Sequence, residues 1–241
     1  MQSQKRLFKK GLIIVGFLFL SMSVAFAQRP DRIKVKPTDG KLSADVRSEA
    51  YYYPEFVEGE VAFRNGKVTA GVLNYNMLTG EIEFVNNKKD TLALANMFDV
   101  HFVSFGPDLF YYDGESKSLL RLLQDYDNTR LLVKERYELT NIKNVGAFGM
   151  ESSTSAPTSS SRNQIVRDTQ NTLKQNESLI YSARSSYYFA DKNQYMPASK
   201  SNVLRMFPKS RSELKKYIKE HKINFNNKED VSQLLQYAAG L

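Results

Sequence analysis

The stretch EVAFRNGKVTAGVLNYNMLTGEIEFVNNKKDTLALA, residues 60–95, decides the fold. It divides into strand-like segments at roughly ten-residue spacing, each closed by turn chemistry, which is the pattern of an antiparallel β-meander. Glu60 to Arg64 reads as the first strand. Asn65-Gly66 follows, a dipeptide that accepts positive φ at both positions and marks a tight hairpin. Val68 to Tyr75 runs back and Asn76 to Gly80 turns again. Glu81-Ile82-Glu83-Phe84-Val85 then alternates polar and apolar residues, as a strand with one wet face does. Asn86 to Asp90 makes the next turn before Thr91 to Ala95.

The same grammar extends outward. Val100 to Phe105 is apolar and aromatic enough to be buried on both faces. Leu109 to Tyr112 and Leu119 to Leu123 form a further hairpin across Asp113-Gly114. Arg130 to Tyr137 is a strong strand, and Leu139 to Phe148 a weaker one. Met150 to Arg162 is dominated by Ser and Thr, and 150–178 reads as a mobile loop. Leu179 to Phe189 resumes strand chemistry and is expected to return beside the strand that ends at Phe148. The fold class is therefore mainly β (α+β overall): an antiparallel meander over 51–190, forming a sandwich or curled sheet.

Residues 191–241 change period. Ser199 to Phe207 is a short helix stopped by Pro208. Ser210 with Glu213 makes a capping box, and the helix it opens carries Leu214, Tyr217, Ile218 and His221 on one face. Asn227 caps a last helix, with Glu229 and Asp230 in its first turn and Val231, Leu234, Leu235 and Ala238 on its stripe. This helical hairpin is too small to be stable alone, so it must dock on the sheet or on a partner.

At the other end, Lys5, Arg6, Lys9 and Lys10 precede the apolar run Leu12 to Leu20, and Ala25-Phe26-Ala27 supplies the small residues of a cleavage site. Residues 1–27 therefore read as a signal peptide. Ser21 and Ser23 interrupt the run before the roughly 20 apolar residues that a membrane span needs. No Cys follows, so the product is not lipid-anchored, and no later stretch is long enough to span a bilayer as a helix. Residues 28–50, polar and containing two prolines, read as a flexible leader. The expected location is the periplasm or the extracellular space.

The chain carries 34 basic and 26 acidic residues, a net charge of +8, but four of the basic residues lie in the signal. Cleavage leaves 30 against 26, a balance of +4 and no nucleic-acid signature. There is no cysteine, so disulfides, thiolate metal sites and Cys nucleophiles are excluded. Stability rests on apolar burial, for which 14 Tyr and 15 Phe supply bulk.

No catalytic, cofactor-binding or metal-binding residue is singled out. His101 sits in an apolar strand with no second ligand at a useful spacing. Glu81 and Glu83 are neighbours on a wet strand face, and His221 ends a lysine-rich helix. The tyrosine runs are more suggestive. Tyr51-Tyr52-Tyr53, Tyr111-Tyr112 and Tyr187-Tyr188 place consecutive aromatics on strands, so one ring of each pair is expected to face out of the core. Exposed rings stack on sugars or pack on partners. Lys209, Arg211, Lys215, Lys216, Lys219 and Lys222 make the last helices basic. The candidate partner-binding residues are Tyr52, Tyr112, Tyr188, Lys215 and Lys219.

The runs FVEGEVAFRNGK at 56–67 and LNYNMLTGEIEFV at 73–85 resemble a pattern in exported proteins of Bacteroidetes-type bacteria. So do GAFG at 146–149 and FPKSRSELKKYIKEHKINF at 207–225. The resemblance spans about 51–238 and implies a secreted or periplasmic β-rich protein without an assigned activity. The expected function is non-enzymatic: an envelope protein that binds a protein partner or glycan through sheet edge, Tyr-rich surface and the 150–178 loop. The alternative is a cell-wall or polysaccharide hydrolase whose carboxylates are assembled by folding. A structural subunit of an outer-membrane assembly is a third reading.

Overall fold

The computed structural model describes residues 30–35, 44–126, 129–145, 151–155, 177–192 and 194–241. Its strands are β1 (Arg32–Val35), β2 (Val57–Phe63), β3 (Val68–Asn76), β4 (Glu81–Val85), β5 (Thr91–Ala93), β6 (Val100–Phe105), β7 (Asp108–Asp113), β8 (Ser118–Tyr126), β9 (Thr129–Val145), β10 (Glu151–Ser155), β11 (Glu177–Asp191) and β12 (Gln194–Pro197). The helices are α1 (Ala44–Ala50), α2 (Lys200–Met206), α3 (Arg211–Glu220) and α4 (Lys228–Ala239). All the strands join one antiparallel sheet in the order β1-β11-β9-β8-β7-β6-β2-β3-β4-β5, with β10 also on β9 and β12 also on β11.

The meander forms where the turn residues place it. At Asn65-Gly66, Gly66 alone has positive φ, +85°. Gly66 donates to Phe63 O at 3.0 Å and Phe63 donates to Lys67 O at 2.8 Å. That is a three-residue connection with the glycine in the left-handed position, rather than the two-residue turn expected from the dipeptide. Asn76 anchors the next turn through its side chain, which accepts from Leu78 and Thr79 N–H. In the middle of β2, Gly59 faces β6 so closely that a Cβ would collide with Ser104 O, so strand pairing here needs glycine.

The sheet is an open, curled one. Four strands separate β3 from β9 in the strand order, yet Tyr137 N–H donates to Met77 O at 2.9 Å just beyond the end of β3. Tyr75 Oη reaches β9 as well, donating to Glu135 O at 2.8 Å. The concave face so formed holds the largest core, with Val61, Leu73, Ile82, Val103, Phe105 and Phe110 buried and Phe105 stacked on Phe110 at 4.9 Å. Asn74, wholly buried, ties the 51–55 segment across this core. Its Oδ1 accepts from Tyr53 and Tyr75 N–H, and its Nδ2 donates to Tyr53 O and Glu55 O. A buried amide with every bond made stabilises one arrangement of the chain and penalises others.

The C-terminal helices dock as their stripes require. Leu214, Ile218, Val231, Leu234, Leu235 and Ala238 are buried against Leu131 of β9 and Phe189 of β11. Ser199 caps α2 through its side chain and Asn227 caps α4. Ser210 does not close a capping box; its backbone (φ −102°, ψ 19°) is not the extended form that aims the hydroxyl at the first turn.

Several sequence expectations are corrected. Within 28–50, β1 pairs with β11 and buries Ile33 and Val35, and α1 follows, so these parts are not a loose leader. Within 150–178, residues 151–155 are strand β10, paired with β9; residues 156–176, like 1–29, lie outside the described residues. The two strands read over 130–148 are, as far as Val145, one long strand. Val100 to Phe105 is not buried on both faces, because His101 is exposed. The return of 179–189 beside β9 is as expected.

Candidate functional site

Charged groups converge on the concave face. Arg121 of β8 donates from Nη1 to Asp108 Oδ1 at 3.1 Å, and from Nη2 and Nε to Glu135 Oε2 at 2.7 and 3.0 Å. Its guanidinium lies 5.3 Å from the centre of the Tyr52 ring. Tyr53 Oη donates to the second oxygen of Asp108. The three charged side chains are each less than one-fifth exposed. Burial works to lower the Arg121 pKa, but Glu135, Tyr52 and Asp108 outweigh it and hold the group above its ordinary value. Both carboxylates are therefore committed to one fixed cation.

Burial also pushes up phenols of the concave core. Tyr181 rises to about 12, and Tyr53 and Tyr75 rise further, Tyr53 with help from its bond to Asp108. The folded state binds these protons more tightly than the unfolded chain, whose tyrosines ionise near pH 10. Stability is thus undiminished below pH 10 and falls as pH rises from 10 through 12. Ultraviolet titration should show part of the phenolate signal appearing together with the loss of β circular dichroism in that window. Complete ionisation near pH 10 with the sheet intact would contradict it.

The free sheet edge is a second feature. Among the described residues β5 pairs with β4 alone, and Thr91, Leu92 and Ala93 are all exposed. Asn86 N–H donates to Asp90 O and Leu94 N–H to Ile82 O, so positions 90, 92 and 94 face β4. By alternation, the N–H and C=O of Thr91 and Ala93 point away from the sheet. Beside this edge lies a groove of about 900 Å³ lined by Phe63, Phe84, Leu92 and Leu94, with Arg64, Lys67 and Asp99 at its polar margin. Leu92, 45% exposed, stands opposite Phe84 in register, so edge and groove share one face.

Of the candidate residues, Tyr52 joins the Arg121 cluster, half-buried and edge-on to Tyr53 and Phe110. Tyr112 is half-buried and meets Phe98 edge-on at 5.3 Å. Tyr188 is 8% exposed, beneath Lys134, whose Nζ is 5.9 Å from the ring centre. The expectation of one outward ring per pair fails here. The convex face has an apolar cluster of its own (Tyr111, Leu120, Leu132, Tyr188, Ala190) that takes in Tyr111 and Tyr188, while Tyr52 and Tyr112 pack on the concave core. Lys215 and Lys219 are exposed on α3, away from that cluster.

No family model, curated protein or solved structure matches this chain. Geometry alone therefore ranks the features. The groove escaped the sequence reading because it needs β2, β4 and β5, with β3 between the first two, brought into one sheet. Arg121 carried a signal: a charge centred in Leu119-Leu120-Arg121-Leu122-Leu123 requires buried partners.

Proposed function

We propose that this chain is a non-enzymatic, exported envelope protein that holds a protein partner along the free edge of its sheet. The observation that carries the reading is the alignment of outward backbone groups at Thr91 and Ala93 with the apolar groove of Phe63, Phe84, Leu92 and Leu94. An extended segment pairing with β5 gains main-chain hydrogen bonds, and its alternate side chains enter the groove. Export is inferred from the signal-like residues 1–27, and the likeness to exported Bacteroidetes-type proteins agrees with it. No helix among the described residues is long and apolar enough to cross a membrane. The commitment of Asp108 and Glu135 to Arg121 supports a non-enzymatic role over the hydrolase alternative, which needs a carboxyl group free to exchange a proton.

Ala93→Pro removes one outward N–H without touching the bonds to β4. In a pull-down from solubilised envelopes, the protein partner captured by the wild-type chain is expected to be lost with Ala93→Pro and with Leu92→Lys. Retention of the same partner by both variants would refute the proposal.

A further inference from the structure

At the opposite end of the strand order, β1, β11 and β9 present a basic groove on the convex face. It has a volume of about 470 Å³ and is lined by Arg32, Lys34, Lys143 and Arg184 around a floor of Thr140, Asn141, Ile180 and Ser182. The register explains the assembly. Arg32 stands opposite Ser182, and Lys34 opposite Ile180, which in turn faces Asn141. Pairing between β9 and β11 slips by one residue here, leaving Thr140 as the extra residue of a β-bulge. The bulge turns Asn141 and Lys143 onto the face that Ser182 and Arg184 already occupy.

Charge and hydrogen-bonding capacity define the ligand class. No carboxylate lines the groove. Glu138, the acid on the same face, is held by Arg136 at 3.3 Å, while Arg32, Lys34 and Arg184 make no ion pair with the described residues. Arg184 stands directly opposite Arg136, whose charge Glu138 offsets, so the positive field at this end comes from Arg32, Lys34 and Arg184. The floor, in contrast, offers acceptors. Thr140 Oγ1 donates to Ile180 O at 3.2 Å, so its 3.0 Å contact with Ser182 Oγ uses the serine proton and leaves the serine lone pairs free. Asn141 Oδ1 is buried without a partner. Cations at the rim and acceptors at the floor suit a molecule that carries both anionic groups and hydroxyl donors. The span from Arg184 to the level of Lys143, which pairs with Ser178, is six strand residues, about 20 Å. That length fits a run of sugars better than a single ion. A phospholipid surface would instead call for a flat basic face with apolar residues to insert, and this floor is mostly polar.

We infer that the β1-β11-β9 groove binds an acidic polysaccharide, taking its carboxylates on Arg32, Lys34 and Arg184 and its hydroxyls on Ser182 and Asn141. The site is independent of the β5 edge, which lies at the other end of the strand order. Together the two would let the protein lie on envelope glycan with its partner-binding edge free.

The test is calorimetric titration of the purified full chain with a galacturonic acid hexamer. The uncharged methyl ester of the hexamer and phosphatidylglycerol/phosphatidylcholine vesicles are run in parallel. The hexamer is expected to bind at low salt, to weaken as salt is raised, and to lose about tenfold in affinity in Lys34→Glu/Arg184→Glu. Both positions are exposed, so circular dichroism should stay unchanged; Lys34→Gln, the milder change, should give a smaller loss in the same direction. Lys215→Glu/Lys219→Glu on α3 should bind as wild type. The inference is overturned if the hexamer does not bind at low salt, if the ester binds equally well, if vesicles bind and the hexamer does not, or if the α3 variant loses as much as the groove variant. Partner capture through β5 is measured separately, so either reading can fail alone.

Discussion

Phe189→Ala is expected to lower the unfolding free energy by about 4 kcal/mol, within the range for emptying a fully buried aromatic site. Phe189 has no exposed surface and stands opposite Leu131, also fully buried, in the β9–β11 ladder. With Met196 of β12, the two residues are the sheet's buried contribution to the cluster formed with Val203, Leu214, Val231, Leu234 and Leu235. Removing the ring costs its transfer free energy and leaves a cavity that a rigid ladder on one side and three helices on the other cannot close. Domains of this kind are stable by about 5–15 kcal/mol in total, so the loss is a large share. The helical module, too small to hold itself, should loosen first. Urea unfolding monitored by circular dichroism gives the free-energy change, and hydrogen exchange should rise earliest in α3 and α4. A loss below about 1 kcal/mol would mean that the helices do not depend on this contact.

Arg121→Met should be comparably damaging, at about 3–5 kcal/mol, for an electrostatic reason. The substitution keeps bulk but strands Asp108 and Glu135, whose side chains are 14% and 18% exposed, without their shared cation. Tyr53 still donates to Asp108, which mitigates one side. Neutralising the acids as well, in Asp108→Asn/Arg121→Met/Glu135→Gln, should recover most of the loss, because an uncharged trio pays far less desolvation than an orphaned pair of carboxylates. Urea midpoints for the single and triple variants decide this. If the triple variant is no more stable than the single one, the cost is packing and the charge argument fails.

The parts of the fold that could be read in the chain are those set by local chemistry. Gly66 and the Asn76–Gly80 turn fixed where strands reverse. The alternation in 81–85 put Ile82 inside, and the stripe of α4 named its four buried residues correctly. What escaped was set by distant pairing. Arg32 to Val35 looks like polar leader until β11 is beside it, because a four-residue strand gains its stability from the ladder it joins rather than from its own composition. Tyr188 looks like an outward ring until the convex face proves to have an apolar cluster of its own. Asn74 reads as an ordinary polar residue of a strand, and its four bonds to the 53–75 region exist only once the chain has folded over it. The edge groove and the basic groove share this origin. Each gathers residues from three strands, and neither has a spacing that a linear sequence displays.

The proposed function requires that β5 accept an incoming strand. The most direct measurement is hydrogen exchange at the backbone amides of Thr91 and Ala93, taken on the free chain and on its complex with the captured partner. In the free chain both N–H groups point away from β4 and should exchange rapidly. In the complex both should become protected, in step with Leu92 side-chain burial. Rapid exchange at Thr91 and Ala93 in a saturated complex, with protection arising elsewhere, would contradict the account.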